Sequence, residues 1–464
     1  MTQLLFSDFA PANKESWISQ AIKDLKGKDF DSSLKSSLWD EIEIAPFYTQ
    51  EDALVGKEIP ANSFENSPEI GGFPSRNWVN YFKVSAQKSN KQVLNALENG
   101  ANGLILCLQG QEDLKQLLQE VRPEYISILI KPQGDPTAAM DTFLTWVRAI
   151  GVDESRLNGG LLWSPMDMLF EEGKSLVEAT QKLNSILDLC PKSSNFYGFH
   201  FNFTRYAEAG ASGLDELILG FGEMIDLLDQ SGIDPNRLFG KGAFFTAVGD
   251  LHFPEIAKLK ALRLFATTLA LQYDIELKPQ DISIFAKTSA WSKSTIDANT
   301  NLIRQTYEAM AAVLGGANAL WVAPLQDEKA SELELRIARN VSSILVHESY
   351  LDKVADPAAG SYYLDFLIDQ LREKTKAGLQ KLEEKGGWYQ NFELGHIHQQ
   401  IRESREKQQN QVLLGEIAKI GVNKYPASNS LKNDLDFLPV EEKSKQLNPS
   451  RSSFLVELKN QTEA

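Results

Sequence analysis

From Asn77 onward the chain alternates between short apolar runs and stretches whose hydrophobic residues recur every three to four positions. The runs WVNYFKV (78–84), GLILCL (103–108), ISILIKP (126–132), GLLWSP (160–165), FYGFHFNF (196–203), AFFTAVG (243–249), ISIFAK (282–287) and ALWVAP (319–324) read as strands. Between and after them the helical period predicts helices over 113–120, 136–150, 174–189, 214–230, 255–271, 299–314 and 332–347. Strand–helix alternation means parallel strands with right-handed crossovers. Near-continuous apolar strands mean burial on both faces. Eight such units over roughly 270 residues favour a closed (β/α)8 barrel in the α/β class, with a doubly wound open sheet as the alternative. Aromatic residues crowd the strands, and the pattern does not say which of them point into the barrel.

The flanks lack this alternation. A helix is predicted over 14–25, with Trp17, Ile18 and Ile22 on one stripe; the extended stretch EIEIAPFYTQED and the Pro/Gly-rich ENSPEIGGFPSR follow. Residues 1–75 therefore read as an arm that packs on something else. The barrel is expected at 76–350, followed by a helical extension at 351–464. In that extension 365–384 is a long charged helix with a solvated face, 397–411 a polar helix, and the last 35 or so residues a tail or wrapping segment.

Composition is ordinary for a globular protein, 42% hydrophobic and 24% charged. Lys plus Arg is 47 and Asp plus Glu is 63, a formal charge of 47 − 63 = −16. Such a chain repels phosphate backbones, which argues against nucleic-acid binding but not against one small anion in a local basic pocket. The N-terminus shows no signal-peptide pattern and no apolar run approaches the roughly 18 residues of a membrane span. A cytoplasmic location is the expectation. Cys107 and Cys190 read as buried thiols in a reducing compartment.

Few residues nominate chemistry. His396 and His398 stand two apart, not at the three or four that puts two ligands on one helix face, and read as surface histidines. Asp250-Leu251-His252 resembles the start of a D-x-H-x-x-G cobalamin signature, but Glu255 replaces the Gly and no flavodoxin-like domain follows; it reads as chance. Gly240-Lys241-Gly242 reads as a turn. At the C-terminal strand ends, where barrels work, stand Ser164, Pro165, Arg205, Tyr206, Gly249, Asp250, Lys287, Ala323 and Pro324. Arg205 with Lys287 offers an anion site; the competing reading pairs them with carboxylates such as Glu208 or Asp250. No carboxylate pair or His base is evident there.

The strings EAGA (208–211), AVG (247–249), EIAKLKALR (255–263), TSAWS (288–292), YEAMAAVLGGANAL (307–320), RIARN (336–340), VADPAAGSYY (354–363) and GVNKY (421–425) stand in order. So do W-x-x-x-A-x-x-x-L-K-G-K (17–28) and P-x-Y-T-x-E-D (46–52) in the arm. Together, from about residue 5 to 425, they resemble the acyl-CoA-binding barrel of the methylmalonyl-CoA mutase family, which uses adenosylcobalamin to interconvert methylmalonyl-CoA and succinyl-CoA. The departures resemble the small subunit of its heterodimeric members. Catalytic chains of the family carry a His where this register places Arg205, Gln residues at Lys287 and Pro165, and a His and Asn at Trp321 and Ala323. Their R-Q-Y is missing from WVNYFKV. No cobalamin domain follows GVNKY, since only about 40 residues remain where such a domain needs over about 100.

The resemblance therefore implies a chain with no catalytic, cofactor-binding or metal-binding residues of its own. Trp163, Arg205, Lys287 and Trp321 would be vestigial barrel-mouth positions. The partner would be a homologous large subunit holding adenosylcobalamin, and residues 1–75 would embrace it. The alternatives are a cobalamin-free acyl-CoA-binding barrel enzyme using Arg205 or Lys287, and a barrel that recruits a separate cobalamin domain.

Overall fold

A computed structural model describes residues 13–52, 76–84, 89–426 and 435–463. The loop read at 65–76 falls outside these residues except for Arg76. A two-stranded antiparallel hairpin, β1 (Ser36–Leu38) and β2 (Ile42–Ile44), precedes a parallel sheet. Its strands are β3 (Val79–Val84), β4 (Gly103–Leu108), β5 (Ser127–Pro132), β6 (Asn158–Leu161), β7 (Phe196–Tyr197), β8 (Phe199–Asn202), β9 (Gly242–Val248), β10 (Ile284–Thr288) and β11 (Ala319–Trp321). The spatial order is β7-β6-β5-β4-β3-β11-β10-β9-β8, and every pairing is parallel. The outermost members, β7 and β8, are the two halves of one strand interrupted at Gly198. The sheet therefore closes on itself as a (β/α)8 barrel, and the open-sheet alternative is set aside.

All eight predicted strands are present, most within two residues of their expected bounds, but two depart further. The fourth was expected at 160–165 and spans 158–161. Gly159 and Gly160 have φ of +121° and +145°, and a Cβ on them would lie 1.9 Å from the Ile128 carbonyl oxygen and 2.2 Å from that of Tyr197. Only glycine lets β6 approach its neighbours this closely, and the strand starts two residues before the predicted run. It leaves the sheet at Trp163, before Pro165. The eighth was expected at 319–324 and ends at Trp321.

The predicted helices are found near their expected bounds, among them Pro136–Ala149, Gly213–Gln230, His252–Leu271 and Ala298–Leu314. The last closes at Gly316, whose φ is +95°. The N–H of Ala317 donates to the Ala312 carbonyl at 3.0 Å, the bond that satisfies a helix's final carbonyls.

The string EIAKLKALR shows what such motifs do in this fold. Lys258 binds Glu216 at 2.6 Å, Lys260 binds Asp356 at 2.5 Å, and Arg263 donates to the carbonyls of Pro279, Ile282 and Gly316. All three side chains are buried. Each fastens helix His252–Leu271 to a different neighbour.

The helix expected at 365–384 is Tyr362–Glu384. Only part of its surface is solvated: Leu364, Leu367, Ile368 and Leu371 are buried against helices His252–Leu271 and Gly213–Gln230. The closing segment wraps, as one of its two readings held. Ser450 N–H donates to the Glu208 carbonyl, Ser452 N–H to that of Trp291, and Arg451 and Glu457 form a buried pair at 2.7 Å. In the arm, helix Lys14–Asp24 buries no residue, Trp17 stacks on Phe47 at 4.9 Å, and Ile22 is exposed. The hairpin behind it packs on this chain itself, with Leu38 and Ile42 in the main core and Lys374 binding Glu41 at 3.4 Å.

Candidate functional site

Side chains alternate along a strand, so every second residue enters the barrel. The inward set comprises Val79, Tyr81, Ile105, Leu129, Leu162, Phe245, Phe285, Ala319, Trp321 and Ala323, a cluster separate from the outer core between strands and helices. Phe245 and Phe285 stack with centroids 4.7 Å apart and planes 13° from parallel. Tyr81 meets Phe285 edge-on at 5.1 Å, and its hydroxyl hydrogen-bonds Ser127 Oγ at 2.7 Å. His200 completes the packing 6.3 Å from Phe285, with Nδ1 2.9 Å from the Leu161 carbonyl oxygen. Burial pushes its pKa down to about 4, so the ring is neutral. The lumen is a plug of interlocked rings.

Above the plug, at the C-terminal strand ends, Trp321 is ringed by lysines. The ammonium groups of Lys287, Lys83 and Lys131 lie 5.4, 5.8 and 6.0 Å from its ring. Lys83 is held by Asp327 at 2.6 Å and by Glu328. Lys287 leans toward Glu208 at 3.5 Å, and both oxygens of that carboxylate also accept the Ala290 N–H. Thus the E of EAGA ties that string to TSAWS. Of the two carboxylates considered for Lys287, Glu208 is its partner; Asp250 instead binds Lys419 at 2.9 Å.

Arg205 lies apart from this mouth. It is buried between Glu223, at 2.7 Å, and Asp167, with its guanidinium 4.5 Å above the Phe170 ring. Burial disfavours its charge, but the two carboxylates outweigh that and raise its pKa. Glu223 also accepts from Tyr206 Oη at 2.6 Å, and Tyr206 Oη accepts from Trp388 Nε1 at 3.0 Å. The structure therefore does not bring Arg205 and Lys287 together as an anion site: each is met by carboxylates of its own. Trp163 and Pro165 are buried at the exit of β6, Trp163 within the outer core.

The remaining candidates are structural. His398, read as a surface residue, is buried: its ring packs 5.0 Å from Phe392, and Nε2 lies 3.0 Å from the Lys445 carbonyl oxygen. The wrapping segment covers a face that looked polar. His252 Nδ1 faces the Tyr307 carbonyl oxygen at 3.2 Å. Lys241, read within a turn, ends helix Pro235–Lys241 and donates to the carbonyls of Pro191 and Ser193. Cys107 is buried and Cys190 half-buried with its pKa pushed up to about 11 by burial. Lys83, Lys131, His200, Asp167 and Glu223 were not singled out from sequence. The lysines were within reach, since each follows an inward Tyr81 or Leu129 by two positions.

Fold and site together define an α/β-barrel protein whose axis is closed by side chains and whose mouth carries converging cations. The chain belongs to the methylmalonyl-CoA mutase family, whose sequence profile matches residues 106–463. It is 26% identical to the methylmalonyl-CoA mutase small subunit of Porphyromonas gingivalis, an alignment covering 93% of this chain and 72% of that one. It is also 26% identical to the small subunit from Streptomyces virginiae, covering 91% and 72%. Against the methylmalonyl-CoA mutase of Cereibacter sphaeroides the identity is 28%, over 89% of this chain but 64% of the relative.

Proposed function

We propose that this chain is the non-catalytic small subunit of a heterodimeric, adenosylcobalamin-dependent methylmalonyl-CoA mutase, working in the cytoplasm and stabilising a homologous large subunit. The carrying observation is the lumen. Tyr81, Phe245, Phe285 and His200 fill the axis along which the resemblance would thread a thioester. The position of the family's His is Arg205, and Glu223 and Asp167 engage it fully. The mouth does not fit a seated corrin either: three lysines crowd Trp321, and Leu438 of the wrapping segment lines the same cavity. The cofactor and the acyl-CoA ester belong in this reading to the partner. Two relatives that align over nine-tenths of this chain and 72% of their own length are named small subunits, which supports it.

The test is co-expression with a candidate large subunit. The expected result is co-elution as a one-to-one complex and methylmalonyl-CoA isomerisation by the complex with adenosylcobalamin, with none from this chain alone. Turnover by the pure chain, with or without a lone cobalamin domain, would overturn the assignment.

A further inference from the structure

The cavity above Trp321 has a volume of about 360 Å³, inside the range of roughly 300–1,000 Å³ typical of small-molecule sites. Its charges are unevenly paired, for Lys83 takes two carboxylates and Lys131 touches none. Lys83 is met by Asp327 and Glu328, and Lys287 by Glu208. Lys293, at the floor, donates to the Ser289 carbonyl at 2.5 Å and lies 3.6 Å from Glu308. At the rim, Lys329 pairs with Asp436. Lys131 differs. Among the described residues no carboxylate, carbonyl or hydroxyl meets its ammonium, whose one close contact is the Trp321 ring. Burial, then the charges of Lys83 and Lys287, lower its pKa. A half-buried ammonium beside two others is an expensive arrangement unless an anion completes it. The walls above the indole are apolar, from Ala323, Pro324, Leu325 and Leu438.

We propose that this cavity binds a small organic monocarboxylate, its carboxylate held by Lys131 between Lys83 and Lys287 and its apolar body lying against Trp321. An ammonium with no carboxylate in contact calls for one carboxylate of the ligand, and the walls call for a hydrocarbon surface. A phosphate group shares the anionic chemistry but brings a second negative charge into a cavity already lined by Asp327 and Glu328.

The test is calorimetric titration of the full chain at low ionic strength with sodium benzoate, phenyl phosphate, inorganic phosphate and, as the uncharged control, benzamide. Benzoate is expected to bind one to one. Benzamide should bind at least about tenfold more weakly, and Lys131→Gln should weaken benzoate by at least about tenfold, as losing a charge-assisted hydrogen bond implies. A second readout uses the wild-type protein: acetylation of Lys131, followed by peptide mass spectrometry, should slow in saturating benzoate. No binding by benzoate or either phosphate, unchanged affinity in Lys131→Gln, or unchanged acetylation would each overturn the site. Tighter binding of the phosphates than of benzoate would overturn the carboxylate assignment.

Discussion

Replacing Phe285 by Ala tests whether the barrel axis is truly filled. The ring is 3% exposed and touches Phe245, Tyr81 and His200. A buried Phe keeps about 150 Å² or more from water, so at about 25 cal/mol per Å² its removal costs some 3 kcal/mol after allowing for the methyl that stays. The stack on Phe245 adds about 0.5–1.5 kcal/mol. The surroundings are strands joined edge to edge and collapse poorly, so the cavity remains. The expected loss is about 4 kcal/mol, within the roughly 3–5 kcal/mol of aromatic-to-Ala changes in close-packed cores. Guanidinium unfolding followed by near-ultraviolet circular dichroism measures it as a lower midpoint at unchanged slope. A dry, apolar void of this kind takes up benzene, so benzene should restore part of the lost midpoint in the variant and leave the parent protein unmoved. A loss below about 1.5 kcal/mol would mean a loosely packed lumen, and the closed-axis argument would fail with it.

Two other outcomes follow from the buried charges. Arg205→Ala should cost about 3–5 kcal/mol by leaving Glu223 and Asp167 unpaired, and Arg205→Met with Glu223→Leu should recover much of it; equal stability of the single variant and its parent would contradict the pairing. His200 has a native pKa of about 4 against an ordinary 6.5, so below pH 6.5 the unfolded chain takes up a proton that the native state refuses. Stability relative to His200→Gln should be flat above pH 6.5 and fall by about 3 kcal/mol between pH 6.5 and 4, at up to about 1.4 kcal/mol per unit; a flat difference across that window would place the ring in water.

The barrel was legible because strands covered on both faces must be apolar throughout, and GLILCL was bounded correctly to the residue. What the pattern hid was direction. In FYGFHFNF the rings of Phe199, Phe201 and Phe203 face the outer helices, while the less apolar His200 enters the lumen. Hydrophobicity alone assigns those faces the other way round. The short helices Asp167–Glu172, Thr204–Glu208 and Pro235–Lys241 run under two turns or barely reach them, too little for a helical period to register. The partners of Arg205 lie in one such helix and on a distant buried face, so its neutralisation by Glu223 and Asp167 came only from the fold. Lys287's partner Glu208 was foreseeable as one of the two carboxylates weighed against it, although β9 separates their strands. Of the three lysines at the mouth, Lys287 was marked as a barrel-mouth position, whereas Lys83 and Lys131 were legible only in principle, each following an inward residue by two.

The way Arg451 and Glu457 lock onto the barrel has a consequence for how the molecule is made. The Glu457 carboxylate receives the Ser294 hydroxyl and the Thr295 N–H, and Ser453 Oγ donates to the Lys293 carbonyl. Synthesis delivers those anchors long after the loop they satisfy. While the ribosome is still extending the chain toward them, those donors face water instead of Glu457. A polypeptide cut at residue 450 would leave that seam open to water and to proteases.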